Sequence, residues 1–187
     1  MGEFDHRKAE SAYWANKAND LHLAAAVLWK CISADSSDDV KTKLPLDCSG
    51  RLDIALPSVY LMLCGMSIEL LLKTTIVAKG DEPENTHLLD KLAAEAGVVY
   101  SAEQVALLQI LSGAIIWKGK YPVPKEEKHW NRLAQLETNC LFDKTPWPGT
   151  TLFILTRNGA LDWNSYTELR GIAFDAMSKA VDWLHEE

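Results

Sequence analysis

The sequence predicts an all-α protein, and three observations carry that expectation. A long apolar run lies between Pro57 and Gly80, other stretches repeat apolar residues at helical spacing, and capping residues punctuate them where helices should start and stop. Of the 187 residues, 48% are hydrophobic and 24% charged, as in an ordinary globular chain. Single cores stop growing only at roughly 250–300 residues, so one domain over 1–187 is expected. Its core should occupy 55–140, with terminal helices over 11–32 and 163–185 packing on it.

The first helix, from Ser11, carries Leu21, Ala24, Ala25, Leu28 and Ile32 near helical spacing. Ser36, Ser37, Asp38, Asp39, Pro45 and Gly50 then make 35–50 a loop, and its aspartates lack the spacing of a calcium loop. Residues 57–79 form the central helix. Pro57 suits a first turn, where a missing N–H costs nothing, and Gly80 suits the stop. Apolar side chains on almost every face mark this helix as buried on several sides. Thr86 is placed to cap a short helix over 87–96 that Gly97 closes. Ser101 and Gln104 have the form of a capping box for a helix running to about Trp117. Two prolines force 121–124 to be extended, and 125–140 returns to helix. Residues 143–149 read as a loop. Residues 150–156 are rich in β-formers, and either a short irregular strand or the start of a helix fits, because no partner strand stands out. Asp162 caps the last helix. The sum is an up-and-down bundle of five or six helices.

Charge and composition exclude several classes. Lys and Arg number 19 against 26 Asp and Glu, a net charge of −7, so no basic nucleic-acid arm is present. The opening MGEFDHRKAE contains no apolar signal segment. The longest uncharged stretch, 54–68, has 15 residues, whereas a membrane span needs about 20. A cytoplasmic protein without membrane contact is expected. Cys31, Cys48, Cys64 and Cys140 form no C-x-x-C pair and read as free, mostly buried thiols. Phosphate-loop and dinucleotide fingerprints are absent, Ser67 lacks the setting of a nucleophile elbow, and no histidine pair suits a metal. Neither metal nor cofactor is expected.

Two places hold chemistry. Glu69 and Lys73, four residues apart in an otherwise apolar helix, share one face and should form a buried polar pair. They are either an ion pair at the core's edge or a polar patch at a helix seam, meeting His87 after the turn. The second place is Trp117-Lys118-Gly119-Lys120-Tyr121-Pro122-Val123-Pro124-Lys125, followed by Lys128, His129 and Arg132. Lysines interleaved with aromatics suit a phosphate backbone with stacked bases, or a structured turn whose aromatics pack on the bundle. Seven Trp sharpen the division. Trp14, Trp29, Trp163 and Trp183 sit on the terminal helices, and Trp117, Trp130 and Trp147 in or after the basic segment.

Three phrases in this order, Ser67-Ile68-Glu69-Leu70-Leu71-Leu72-Lys73, Thr86-His87-Leu88-Leu89-Asp90-Lys91-Leu92 and the Trp117–Pro124 run (117–124), resemble the HEPN superfamily of α-helical domains. The resemblance covers about a third of the chain. It implies an up-and-down bundle, often dimeric and tied to RNA, in which many members are metal-independent ribonucleases of toxin–antitoxin, CRISPR or abortive-infection systems. Their motif is Arg, four to six residues, then His. Here none of Arg7, Arg51, Arg132, Arg157 and Arg170 precedes a histidine at that spacing, and Lys125 with His129 is the nearest substitute. The expectation is a non-catalytic domain that binds RNA or a partner protein through Trp117, Lys118, Lys120, Tyr121, Lys125, Lys128 and Arg132. The alternatives are a divergent metal-independent ribonuclease using His129 or His87 with Lys120, Lys125 or Arg132, and a structural module that homodimerises through its tryptophans.

Overall fold

The computed structural model describes residues 2–33, 40 and 51–183, with the side chains of 182 and 183 excepted. The expected loop at 35–50, Cys48 and the Trp183 side chain therefore lie outside the described residues. The chain is all-α apart from one two-stranded hairpin. Its helices are α1 (Glu3–Ala9), α2 (Ser11–Ile32), α3 (Leu52–Ala55), α4 (Pro57–Ala78), α5 (Leu89–Ala96), α6 (Ala102–Gly113), a π-helical turn (Ala114–Lys118), α7 (Glu127–Cys140) and α8 (Trp163–Trp183). Eight α-helices among the described residues exceed the five or six expected, because α1 and α3 are short helices with no buried residue and hence no apolar periodicity to read.

Helix α4 is the centre. Pro57 occupies its first turn and Gly80, at φ +85°, follows its end, as expected of a residue entering the left-handed region. It packs against α2, α8, the π-turn, α5 and α6. Cys64, Ile68, Leu71 and Leu72 are buried at 1% exposure or less. Among the described residues α4 is the one helix long and apolar enough to cross a bilayer, and 67% of that window is buried inside the bundle. An all-round apolar helix is stable in water only when such neighbours cover it.

The local stop and start signals are obeyed. Gly97 closes α5 at φ +72°. Ser101 and Gln104 form the reciprocal box at α6, with Gln104 N donating to Ser101 Oγ at 3.3 Å and Ser101 N to Gln104 Oε1 at 2.9 Å. Asp162 Oδ1 accepts from Ser165 N at 2.9 Å at the start of α8. Thr86, in contrast, does not cap α5. Its hydroxyl accepts from Leu88 N at 3.2 Å in a tight turn, so the helix starts two residues later than expected and His87 lies before it.

Two segments differ more. Helix α6 does not run on to Trp117 but widens after Gly113 into the π-turn, where Gly119 N donates to Ala114 O at 3.0 Å. Gly119 is required there, because a Cβ would meet Met62 Cβ at 2.5 Å. The 143–149 loop is half strand. β1 (Phe142–Pro146) pairs antiparallel with β2 (Phe153–Arg157), with Lys144 opposite Leu155. This is the partner strand that the sequence hid. Asp143, Lys144 and Pro146 are poor β-formers, and their pairing to β2 is what makes them a strand.

Trp29 and Trp163 do join the terminal helices to the bundle. Trp29 packs on Tyr60 of α4 at 5.2 Å, and Trp163 of α8 stacks on His22 of α2 at 5.0 Å between ring centroids. Trp14 instead donates its indole N–H to Lys8 O at 3.0 Å, holding α1 against α2.

Candidate functional site

The Glu69–Lys73 pair is buried and has a third member. Glu69 is 5% and Lys73 8% exposed, and Lys73 Nζ donates to Glu69 Oε1 at 2.8 Å. His87, delivered by the turn before α5, places Nδ1 at 2.9 Å from Glu69 Oε2 and 3.1 Å from Oε1. The seam reading therefore holds, with one carboxylate neutralised by an ammonium and bonded to an imidazole. The His87 side chain is 53% exposed, so the group runs from core to solvent. The carboxylate can only accept, so His87 Nδ1–H is the donor to it. Lys73 also borders a cleft of about 530 Å³ whose walls include Lys8, Trp14, Glu82 and Asn85.

The basic segment divides. Trp117 is buried, with its ring 5.7 Å from Trp130. Lys118 is engaged by Glu137, donating to Oε2 at 2.6 Å, and Lys128 pairs with Glu126 at 2.6 Å. Trp117 and Lys118 are held in the protein's own packing and ion pairs, whereas Lys128 is exposed and its pair with Glu126 lies at the surface. Lys120, Tyr121, Lys125 and Arg132 are exposed, Tyr121 at 59%, and Lys120 Nζ lies 5.9 Å from the Tyr121 ring centroid. The segment 121–124, expected to be extended, instead bends at Pro122 and Val123, after Tyr121 N closes a turn onto Trp117 O at 2.8 Å.

A second cleft, of about 450 Å³, opens between α5, α6 and α7. Trp117, Leu133 and Leu136 form its apolar part, and Lys91, His129 and Arg132 its basic part. His129 and Arg132 meet here because they are three apart on α7. Lys125 precedes α7 and does not line the cleft, so the nearest sequence substitute for an Arg–His pair is replaced in space by His129 with Arg132. His87 stays with Glu69 and does not line the cleft. The sequence reading missed Lys91 and Gln109, which α5 and α6 bring to the cleft. Gln109 donates to Asp90 Oδ2 at 2.9 Å, which occupies the acid nearest to Lys91 in sequence. The only sequence signal for Lys91 was its place on the polar side of a short amphipathic helix. Among the described residues no three His, Cys, Asp or Glu side chains form a metal-binding group.

Comparison of the chain with family models, with curated proteins and with solved structures finds no match.

Proposed function

We propose that the chain is a cytoplasmic, non-catalytic HEPN-like helical domain that binds single-stranded RNA at the α7 cleft, in a bacterial defence or stress setting. One observation carries this reading. In a chain of net charge −7, Lys91, His129 and Arg132, with Asp90 among them, edge an apolar cleft whose Trp117 packs on exposed Trp130 and accepts a backbone hydrogen bond from exposed Tyr121. Aromatic faces stack bases regardless of sequence, and lysine and arginine contact the backbone. Stacking contributes about 1–3 kcal/mol per base, which suits one or two exposed rings.

Fluorescence anisotropy of a labelled single-stranded RNA tests it. Binding should weaken as salt rises, and Arg132→Ala and Tyr121→Ala should each lower affinity about fivefold or more. Unchanged affinity in both variants sinks the proposal. Incubation in EDTA should leave the RNA intact. Cleavage that disappears in a His129→Ala, His87→Ala double variant would instead establish the ribonuclease alternative.

A second reading, homodimerisation, is favoured by the hairpin. Every residue of β2 is exposed, and Trp147 and Leu152 beside it are exposed as well. An isolated two-stranded hairpin is marginal in water, and a second copy would cover it. Their apolar side chains present roughly 500 Å² per protomer, taking about 150–250 Å² for each whole aromatic, against the ~800 Å² per partner of a standard interface. Sedimentation should show a dimer that Leu155→Lys dissociates. A monomer at high concentration refutes this reading.

A further inference from the structure

A second polar group lies where α2, α4 and α8 meet, and shares no residue with the α7 cleft. Ser67 of α4, fully buried, donates Oγ–H to Ala18 O of α2 at 2.8 Å. The same oxygen accepts from Arg170 Nε of α8 at 3.1 Å. That bond fixes the guanidinium, whose carbon lies 5.7 Å from the Phe174 ring centroid. One turn back on α8, the fully buried Tyr166 places its hydroxyl 3.0 Å from His22 Nδ1 of α2. Trp163 stacks on that imidazole. When the buried phenol donates to Nδ1, Nε2 carries the imidazole proton.

The arrangement has donors and positive charge, and no carboxylate bonded to them; the nearby acid, Asp162, is close enough to act on Tyr60. Arginine carries five N–H donors, and Nε alone is bonded to another described residue. No carboxylate among the described residues pairs with Arg170. The nearest acid in sequence on its side of α8, Asp162, is engaged at the cap of that helix. His22 is close enough to feel the Arg170 charge, and both burial and that charge hold its imidazole below its ordinary value. Burial likewise lowers Arg170. Leaving a half-buried guanidinium unpaired in an acidic protein costs free energy that a bound anion would return. The rigid Ser67 and Tyr166 contacts pre-organise both donors at no further entropic cost.

We propose that Arg170 and His22, held by Ser67 and Tyr166, form a binding site for a phosphate-type oxyanion, either free phosphate or a phosphomonoester. The guanidinium fork takes two oxygens of a tetrahedral anion, and the imidazole N–H donates to a third. Phe174 flanks the guanidinium and Trp163 the imidazole. Tyr60, whose hydroxyl is buried and unpartnered, and Cys64 lie behind Tyr166 on α4 and add no negative charge, since burial pushes both groups up.

Titration of the full chain with inorganic phosphate, followed by the His22 imidazole NMR signals, tests the site. Saturating shifts in the millimolar range are expected, with an upward movement of the His22 titration midpoint, and sodium chloride at matched ionic strength should produce neither. Arg170→Gln should weaken phosphate at least tenfold. No phosphate-specific shift in the wild type overturns the proposal, and that measurement stands without any variant. A folded Arg170→Gln chain that binds phosphate as the wild type does overturns it too. AMP is the second arm. Tighter binding than phosphate at the same His22 signals assigns a phosphomonoester, and equal or weaker binding assigns free phosphate.

Discussion

Lys73→Met isolates the buried triad. The substitution keeps an unbranched apolar stem of similar length and removes only the ammonium, so packing along α4 is largely preserved. It leaves Glu69 buried with His87 as its single remaining partner, because Lys73 Nζ at 2.8 Å is its other bond. Removing one partner of a buried ion pair costs about 3–5 kcal/mol, and the surviving histidine contact offsets part of that, which puts the expected loss at roughly 2–4 kcal/mol. For a chain of this size each kcal/mol is worth about 2–4 °C, so the melting temperature should fall by about 5–15 °C. Glu69→Met with Lys73→Met removes both charges together and should lie within about 1 kcal/mol of the wild type, since an apolar pair avoids the desolvation penalty. Urea unfolding followed by circular dichroism, with the two single variants and the double, closes the cycle. A Lys73→Met variant as stable as the wild type, or a double variant costing the sum of the singles, would refute the claim that the pair compensates itself inside the core.

Gly119→Ala drives a methyl group against Met62 Cβ, which the backbone of α4 holds, and should destabilise by about 1–3 kcal/mol in the same unfolding assay; a neutral result would mean that the π-turn adjusts freely. Acid should weaken the fold through His22, which faces Trp163, Tyr166 and Arg170 of α8. Its imidazole is held below its ordinary value in the folded chain, so the unfolded state takes up a proton first as pH falls through about 6.5. The stability it contributes is present above that pH and is lost below it. A His22→Gln chain should show a flatter stability profile between about pH 7 and 5 than the wild type, measured by urea unfolding.

Much of the fold was legible because local rules wrote it. Pro57 starts α4 and Gly80 and Gly97 follow helix ends through backbone geometry that one residue decides. Ser101 with Gln104, and Asp162, satisfy N–H groups within three residues. Glu69 and Lys73 meet because a helix brings every fourth residue to one face, and their burial follows from the apolar run around them. Thr86 shows the limit of such rules, since a capping residue type also suits the turn it actually makes.

Sequence by itself therefore determined the helical class, the central helix and its buried ion pair, and most of the points where helices begin and end. All of these depend on contacts a few residues apart. Tertiary structure alone decided which polar groups meet and which are free. It gave Lys118 to Glu137, turned Trp117 inward and left Tyr121 and Arg132 in solvent, although the four lie within one short stretch. It made a strand of 142–146 by supplying β2, placed His87 on Glu69, and set Arg170 beside Ser67 across 103 positions of chain. These pairings join residues far apart in sequence. Their partners are selected by how α4 is surrounded, which no local pattern encodes.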